Sequence, residues 1–281
     1  MSPTSPGLWL TFITAYAGLF GLLIGSFLNV VIYRVPNGLS VVSPPSACPG
    51  CGHVIKAYDN IPVLSWLILR GRCRGCAKPI SRRYPLVETG TGMAFAGVAL
   101  WAWTGGASGR PTEGAPGMLV LVGFLYLAAV TVALGLIDID TRRLPDAIVL
   151  PSYLVGAVLF TLAAVFAGDY AALLRAGVGM AALWTAYLLM ALAYPGGMGF
   201  GDVKLAGLLG MFLGWVGWGP LLVGAFAAFL LGGLFSLALL VTRMVDRKSG
   251  IPFGPWMLAG AWTGIIGGDS LWREYLALVG L

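Results

Sequence analysis

Eight stretches of this chain are almost continuously apolar: 8–33, 86–104, 117–137, 147–167, 171–194, 204–217, 218–242 and 254–268. Several reach the roughly 20 residues that carry an α-helix across a bilayer. In hydrocarbon only a helix or a closed barrel satisfies every backbone N–H and C=O. The runs do not alternate apolar with polar residues, which argues against the barrel. Hydrophobic residues make up 58% of the chain and charged residues 10%, against about a quarter charged in a soluble domain. Disordered and soluble globular classes are therefore excluded. The expected fold is all-α and polytopic, with about eight transmembrane helices, of which the sixth and eighth are short and Gly-rich. The first run lacks a basic n-region and a clear small-residue cleavage site, so it reads as a retained span.

Charge sets the orientation. The connections after the first, third, fifth and seventh runs hold 14 Lys and Arg residues. The remaining connections and the C-terminus hold three, Arg110, Arg175 and Arg273. The richer set belongs in the cytoplasm, which puts the N-terminus outside. Residues 34–88 alone carry eight basic residues against Asp59 and Glu88, a balance of +6 that equals the net charge of the whole chain. That charge suits topology and anionic lipid. Nucleic acid is not an expected partner, because aromatic interleaving and a binding module are missing. Asn29 is polar at membrane depth and reads either as an interhelical hydrogen bond or as a substrate contact. The organisation expected is a first transmembrane helix at 1–33, a cytoplasmic loop domain at 34–85, and a transmembrane domain at 86–281.

All four cysteines fall in that loop, as Cys48-Pro-Gly-Cys51 and Cys73-Arg-Gly-Cys76, with 21 residues between the pairs. Two such knuckles offer four thiolates to a tetrahedral Zn²⁺. Neighbouring Lys and Arg favour the thiolate form. A reducing cytoplasm disfavours disulfides. Four cysteines fill the tetrahedron, so the site is expected to be structural. His53, the only histidine, reads as a solvated knuckle residue.

Acidic residues at span ends are costly and tend to be functional. Asp138, Asp140 and Asp146 follow the third run, and Asp202 precedes the sixth, in Gly199-Phe-Gly201-Asp202-Val-Lys204. The charge rule places both groups at one membrane face. Two carboxylates held close share a proton. One then activates water while its protonated partner polarises a peptide carbonyl and protonates the leaving amine. Asp138 and Asp140 point about 200° apart on a helix, so they are poor partners for each other. Asp202 with one of the two is the favoured pair, and the chemistry alone leaves the choice open. Gly199 and Gly201 permit a tight turn near substrate.

Six blocks, in order, resemble the bacterial prepilin peptidases, the type IV leader peptidases of the GxGD aspartic group. They are Gly25-Ser-Phe-Leu-Asn-Val-Val-Ile-Tyr-Arg34, the cysteine pairs flanking Asp59-Asn-Ile-Pro-Val-Leu-Ser-Trp66, Arg83-Tyr-Pro-Leu-Val-Glu88, Ile137-Asp138-Ile-Asp140 with Leu144-Pro-Asp146, the Gly199–Lys204 box, and Ile251-Pro-Phe-Gly-Pro255. The resemblance implies Asp138 and Asp202 as the catalytic pair, with Gly199, Gly201, Lys204 and Asp140 in support. It makes 86–281 an aspartic peptidase domain of the bacterial cytoplasmic membrane, with its active site facing the cytoplasm. It implies cleavage of prepilins or pseudopilins after the Gly that ends a basic leader, in pilus assembly and type II secretion. It also implies methylation of the new N-terminus from S-adenosylmethionine, whose binding residues no motif gives. A peptidase without methyltransferase activity, and an ion-coupled transporter using intramembrane acids, are the alternatives.

Overall fold

The computed structural model describes residues 6–106, 114–194, 197–242 and 251–280. Its helices are α1 (Pro6–Arg34), a short α2 (Leu64–Ile68), α3 (Arg83–Trp103), α4 (Gly114–Thr141), α5 (Asp146–Ala167), α6 (Tyr170–Ala193), α7 (Phe200–Val216), α8 (Trp218–Val241) and α9 (Gly254–Leu278). Among the described residues there is no sheet, only two isolated β-bridges. Five helical segments are long and apolar enough to cross a membrane: Leu8–Asn37, Gly114–Thr141, Asp146–Ala167, Tyr170–Ala193 and Trp218–Val241. α7 has only 17 residues, and α9 carries Asp269, Arg273 and Glu274 in its second half. Apolar side chains face outward in stripes, as at Leu150, Leu154, Val158 and Leu162 of α5. Residues four apart share a helix face, and an apolar face of this kind suits lipid rather than water.

The chain divides into two compact units, 1–103 with 125–133, and 104–124 with 134–281. In the first, α1 packs along α3. The two backbones approach closely because small residues line the seam. A Cβ on Gly21 would meet the Thr91 carbonyl oxygen at 2.8 Å, and one on Gly25 would meet the Glu88 Cα at 2.7 Å. Near the ends of this seam the Asn29 amide donates to the Tyr84 carbonyl at 3.3 Å. That is the interhelical role read from the sequence.

In the second unit α7 is the central helix, packed mainly against α6 and also against α5, α8 and α9. Every residue from Val203 to Val216 except Lys204 is buried. Its glycines let α6 in: Gly210 faces Gly179, and Gly214 faces the Arg175 backbone. Phe124, Phe160, Phe212 and Trp215 fill the remaining space, with Phe160 stacked on Trp215 at 4.5 Å and Phe212 edge-on to Phe124 at 5.5 Å. The α5–α6 turn is encoded locally. Gly168, at φ +71°, ends α5, and the Asp169 carboxylate caps α6 by accepting the Ala172 N–H at 3.0 Å.

Two boundaries differ from expectation. The Asp138 and Asp140 positions belong to the last turns of α4, and Asp202 lies in the first turn of α7 rather than ahead of the helix. Hydropathy locates apolar centres, whereas a helix end extends into polar sequence wherever capping permits. Arg110, Arg243, Arg247 and Lys248, four of the residues behind the orientation rule, lie outside the described residues.

Candidate functional site

Asp138 and Asp140 sit on the same stretch of α4 but in different surroundings. Asp138 is 5% exposed, between buried Ile137 and exposed Ile139. Asp140 is exposed. The roughly 200° between them around the helix turns only one inward. The Asp138 carboxylate stands where the free carbonyls of the α4 C-terminus disfavour negative charge. An N–H from another helix compensates: Gly254, the first residue of α9, donates to Asp138 Oδ2 at 3.0 Å.

Asp202 is placed by its own turn. Gly199 precedes α7 as its N-cap, and its N–H donates to Asp202 Oδ2 at 3.0 Å. The carboxylate thus answers one of the unpaired donors at a helix N-terminus, where negative charge is favoured. Asp138 and Asp202 lie within electrostatic range of each other. Each has its Oδ2 on a backbone amide, which orients the carboxylate.

Space is tight beside both Gly254 and Gly201. A Cβ on Gly254 would meet Asp138 Oδ2 at 2.7 Å, and one on Gly201 would meet Leu144 Cβ at 3.1 Å. Leu144 also lies 3.3 Å from the Cβ position of Gly254, so one side chain packs against both glycines. Lys204 points away to Asp146, its Nζ donating to Oδ1 and Oδ2 at 2.7 and 2.8 Å. The same ammonium lies 5.0 Å from the Phe200 ring centre. This ties the first turn of α5 to the second turn of α7. A half-exposed pair of this kind adds under about 1 kcal/mol to stability, so its value lies in position.

Three contributors carry no signal in the sequence reading. Gly254 lay in a recognised block with no role. Leu144 lay in another. Tyr187 of α6 is 3% exposed, its ring 6.4 Å from that of Phe253, the neighbour of Gly254. A backbone donor or an apolar spacer has no residue type that marks it.

The four cysteines come together in the first unit. Their sulfurs all lie within 4.8 Å of one another, with Cys48 to Cys76 at 3.8 Å and Cys51 to Cys73 at 4.0 Å. A tetrahedron with Zn–S bonds of about 2.3 Å has edges of about 3.8 Å. The donor set and spacing therefore fit zinc, and the thiols are free of disulfides. The knuckles share one backbone pattern. Cys48 N–H donates to the His53 carbonyl and Cys73 N–H to that of Lys78, while Gly52 and Ala77 donate back to Cys48 and Cys73. The Gly50 N–H beside the Cys48 sulfur, and then the Cys73 thiol, lower its pKa, toward the thiolate form that binds metal. His53 is exposed and lies outside the four-sulfur cluster.

The knuckles are tied to the segment between them. Arg74 donates to both Asp59 oxygens at 2.6–3.0 Å, which holds the Asp59 carboxyl below its usual range. Trp66 Nε1–H donates to the Ile80 carbonyl at 3.2 Å.

Residues 19–102 match the Bacterial Peptidase A24 N-terminal domain, and residues 125–237 match the Type IV leader peptidase family. The chain is 39% identical to a Prepilin leader peptidase/N-methyltransferase of Aeromonas hydrophila, across 95% of this chain and 94% of that one. It is 39% identical to one of Pseudomonas putida across 94% of each, and 35% identical to one of Neisseria gonorrhoeae across 93% of each. No solved structure matches the chain.

Proposed function

Because the chain belongs to the type IV leader peptidase family, we propose that it is a membrane aspartic endopeptidase that removes the leader from prepilins and then methylates the new N-terminus. The observation that supports the peptidase is that Leu144 packs against both Gly254, which holds Asp138 at the end of α4, and Gly201, the neighbour of Asp202 in the first turn of α7. Each aspartate is oriented by one backbone amide, from Gly254 and Gly199.

The cleavage follows from those two groups. A water held between the carboxylates loses a proton to one of them and attacks the scissile carbonyl carbon. The other carboxyl, protonated, donates a hydrogen bond to the carbonyl oxygen as it gains charge. It then delivers its proton to the departing amine. The glycines at 199, 201 and 254 keep side chains away from the carboxylates and so leave room for a peptide. Asp140 and the Lys204–Asp146 pair support the surrounding geometry. A pilin leader is basic and stays in the cytoplasm, whereas the segment after the cut is apolar and lies in the bilayer. The scissile bond therefore meets the aspartates at the cytoplasmic face of the inner membrane, with the N-terminus of the enzyme outside. Residues 1–33 act as a first span, 34–85 as the four-Cys domain and 86–281 as the peptidase domain.

Cys48, Cys51, Cys73 and Cys76 hold a structural Zn²⁺, which cross-links two knuckles in a loop with few apolar residues to bury. We expect roughly one zinc per chain in protein purified under reducing conditions, and loss of that zinc in Cys48→Ser. Metal analysis of both proteins checks this, and a metal-free wild-type protein contradicts the site. S-adenosylmethionine is the second substrate, consumed after cleavage. Type IV pilins and the pseudopilins of type II secretion are the peptide substrates.

The test is incubation of the purified protein with a prepilin and S-adenosylmethionine, followed by mass spectrometry of the product terminus. Release of the leader with one methyl group on the new terminus supports the reading. An uncut prepilin refutes the peptidase, and a cut but unmethylated product refutes the second activity.

A further inference from the structure

Cleavage leaves one buried carboxylate unused. Glu88 of α3 is 8% exposed and lies in the first unit, whereas Asp138 and Asp202 belong to the second. Its Oε2 accepts the backbone N–H of Val63 at 2.7 Å. Gly25 of α1 lies against the Glu88 backbone, so the residue stands at the α1–α3 seam.

Its partner is the least favourable backbone position in that unit. Val63 has φ +60° and ψ −49°, and the following Leu64 N–H bonds back to the Pro62 carbonyl. These are the marks of the γ-turn that is rare and strained. A β-branched residue at positive φ is a true outlier, and such strain persists only where surroundings over-determine it. They do so here. Ser65 Oγ accepts the Ile61 N–H at 3.0 Å and donates to the Tyr58 carbonyl at 3.0 Å. Arg74 holds Asp59 at the other end of the segment. Glu88 is thus the tie between the α1–α3 pair and the segment that carries the cysteine knuckles.

We propose that Glu88 is a positioning residue for methyl transfer, acting by holding Val63 in its γ-turn and so fixing the Asp59–Trp66 segment on α1 and α3. The proposal rests on the reading that this chain methylates as well as cleaves. Strain kept at a site that cleavage does not use points to the other activity. Neither Glu88 nor Val63 contributes an atom to the reaction. Their effect passes through the backbone of the segment.

The experiment separates the two activities in the full-length protein, with prepilin as substrate and S-adenosylmethionine as donor. Glu88→Ala should lower methylation about tenfold or more while cleavage stays within about twofold and zinc content is unchanged. Glu88→Gln should keep most methylation, because the amide oxygen still accepts the Val63 N–H. Val63→Gly placed in the Glu88→Ala background should restore methylation to within about threefold of wild type, since glycine adopts positive φ without a Cβ penalty. Three results overturn the proposal. Glu88→Gln as inactive in methylation as Glu88→Ala assigns the effect to charge. Failure of Val63→Gly to rescue breaks the link to the turn. A fall in cleavage that tracks methylation removes the selectivity. Failure of the underlying reading is distinct: wild-type protein then yields an unmethylated product.

Discussion

Replacing either Asp138 or Asp202 by Asn is expected to lower prepilin cleavage by about a thousandfold or more while leaving the protein inserted and folded. Positioned general acid–base groups contribute about 10²–10⁴ in rate, and each aspartate serves as base or acid in a two-carboxyl mechanism. Asparagine matches the carboxylate in shape. Its amide oxygen still accepts the Gly254 N–H at position 138 or the Gly199 N–H at position 202, so the orienting bonds survive. What is lost is proton transfer alone. Asp140→Asn is the internal control. That residue is exposed and its substitution should cost far less than either of the others. Quantitative gels of prepilin and mature pilin, normalised to enzyme in the membrane, read all three.

Gly254→Ala carries the second largest expected effect. A Cβ there would stand 2.7 Å from Asp138 Oδ2 and 3.3 Å from Leu144 Cδ2. Neither neighbour is free to retreat. The Asp138 carboxylate is held by the Gly254 N–H itself, and Leu144 already abuts Gly201. The methyl group must displace the carboxylate or the start of α9. A shift near 1 Å in a catalytic group costs about a hundredfold in rate. We expect a loss of that order in cleavage, with zinc content and methylation of a pre-cut pilin little changed, because the cysteines and Glu88 lie in the other unit. Gly90→Ala is a fair contrast, since its Cβ position has no neighbour within 4 Å. It should behave as wild type.

The helices were legible because a bilayer demands long apolar runs, and α1 and α3 to α9 cover those runs, although among the described residues only five segments are long and apolar enough to cross a membrane. Their ends were not. α9 continues to Leu278, ten residues beyond the apolar run, through Asp269, Arg273 and Glu274. α7 begins at Phe200, so that Asp202 becomes a first-turn residue. Hydropathy is blind to a polar turn that a helix tolerates. The cysteine cluster was legible from spacing, because a tetrahedral metal needs two short knuckles. For the proposed acid pair, the sequence chemistry left Asp202 with one of two candidates, and burial distinguishes these: Asp138 inside, Asp140 outside. The Gly254 contact was beyond reach. It joins residues 116 apart through a backbone N–H that every non-proline residue possesses. The Val63 turn was equally hidden, since valine is the residue least expected at positive φ.

The central claim is that Asp138 and Asp202 act as one catalytic unit. The most direct test is the cleavage rate of the Asp138→Asn/Asp202→Asn double variant beside the two singles. Groups that work together in one step are strongly non-additive. The double variant should therefore cleave prepilin no more slowly than either single. Effects that multiply, or near-normal cleavage by either single variant, would contradict it.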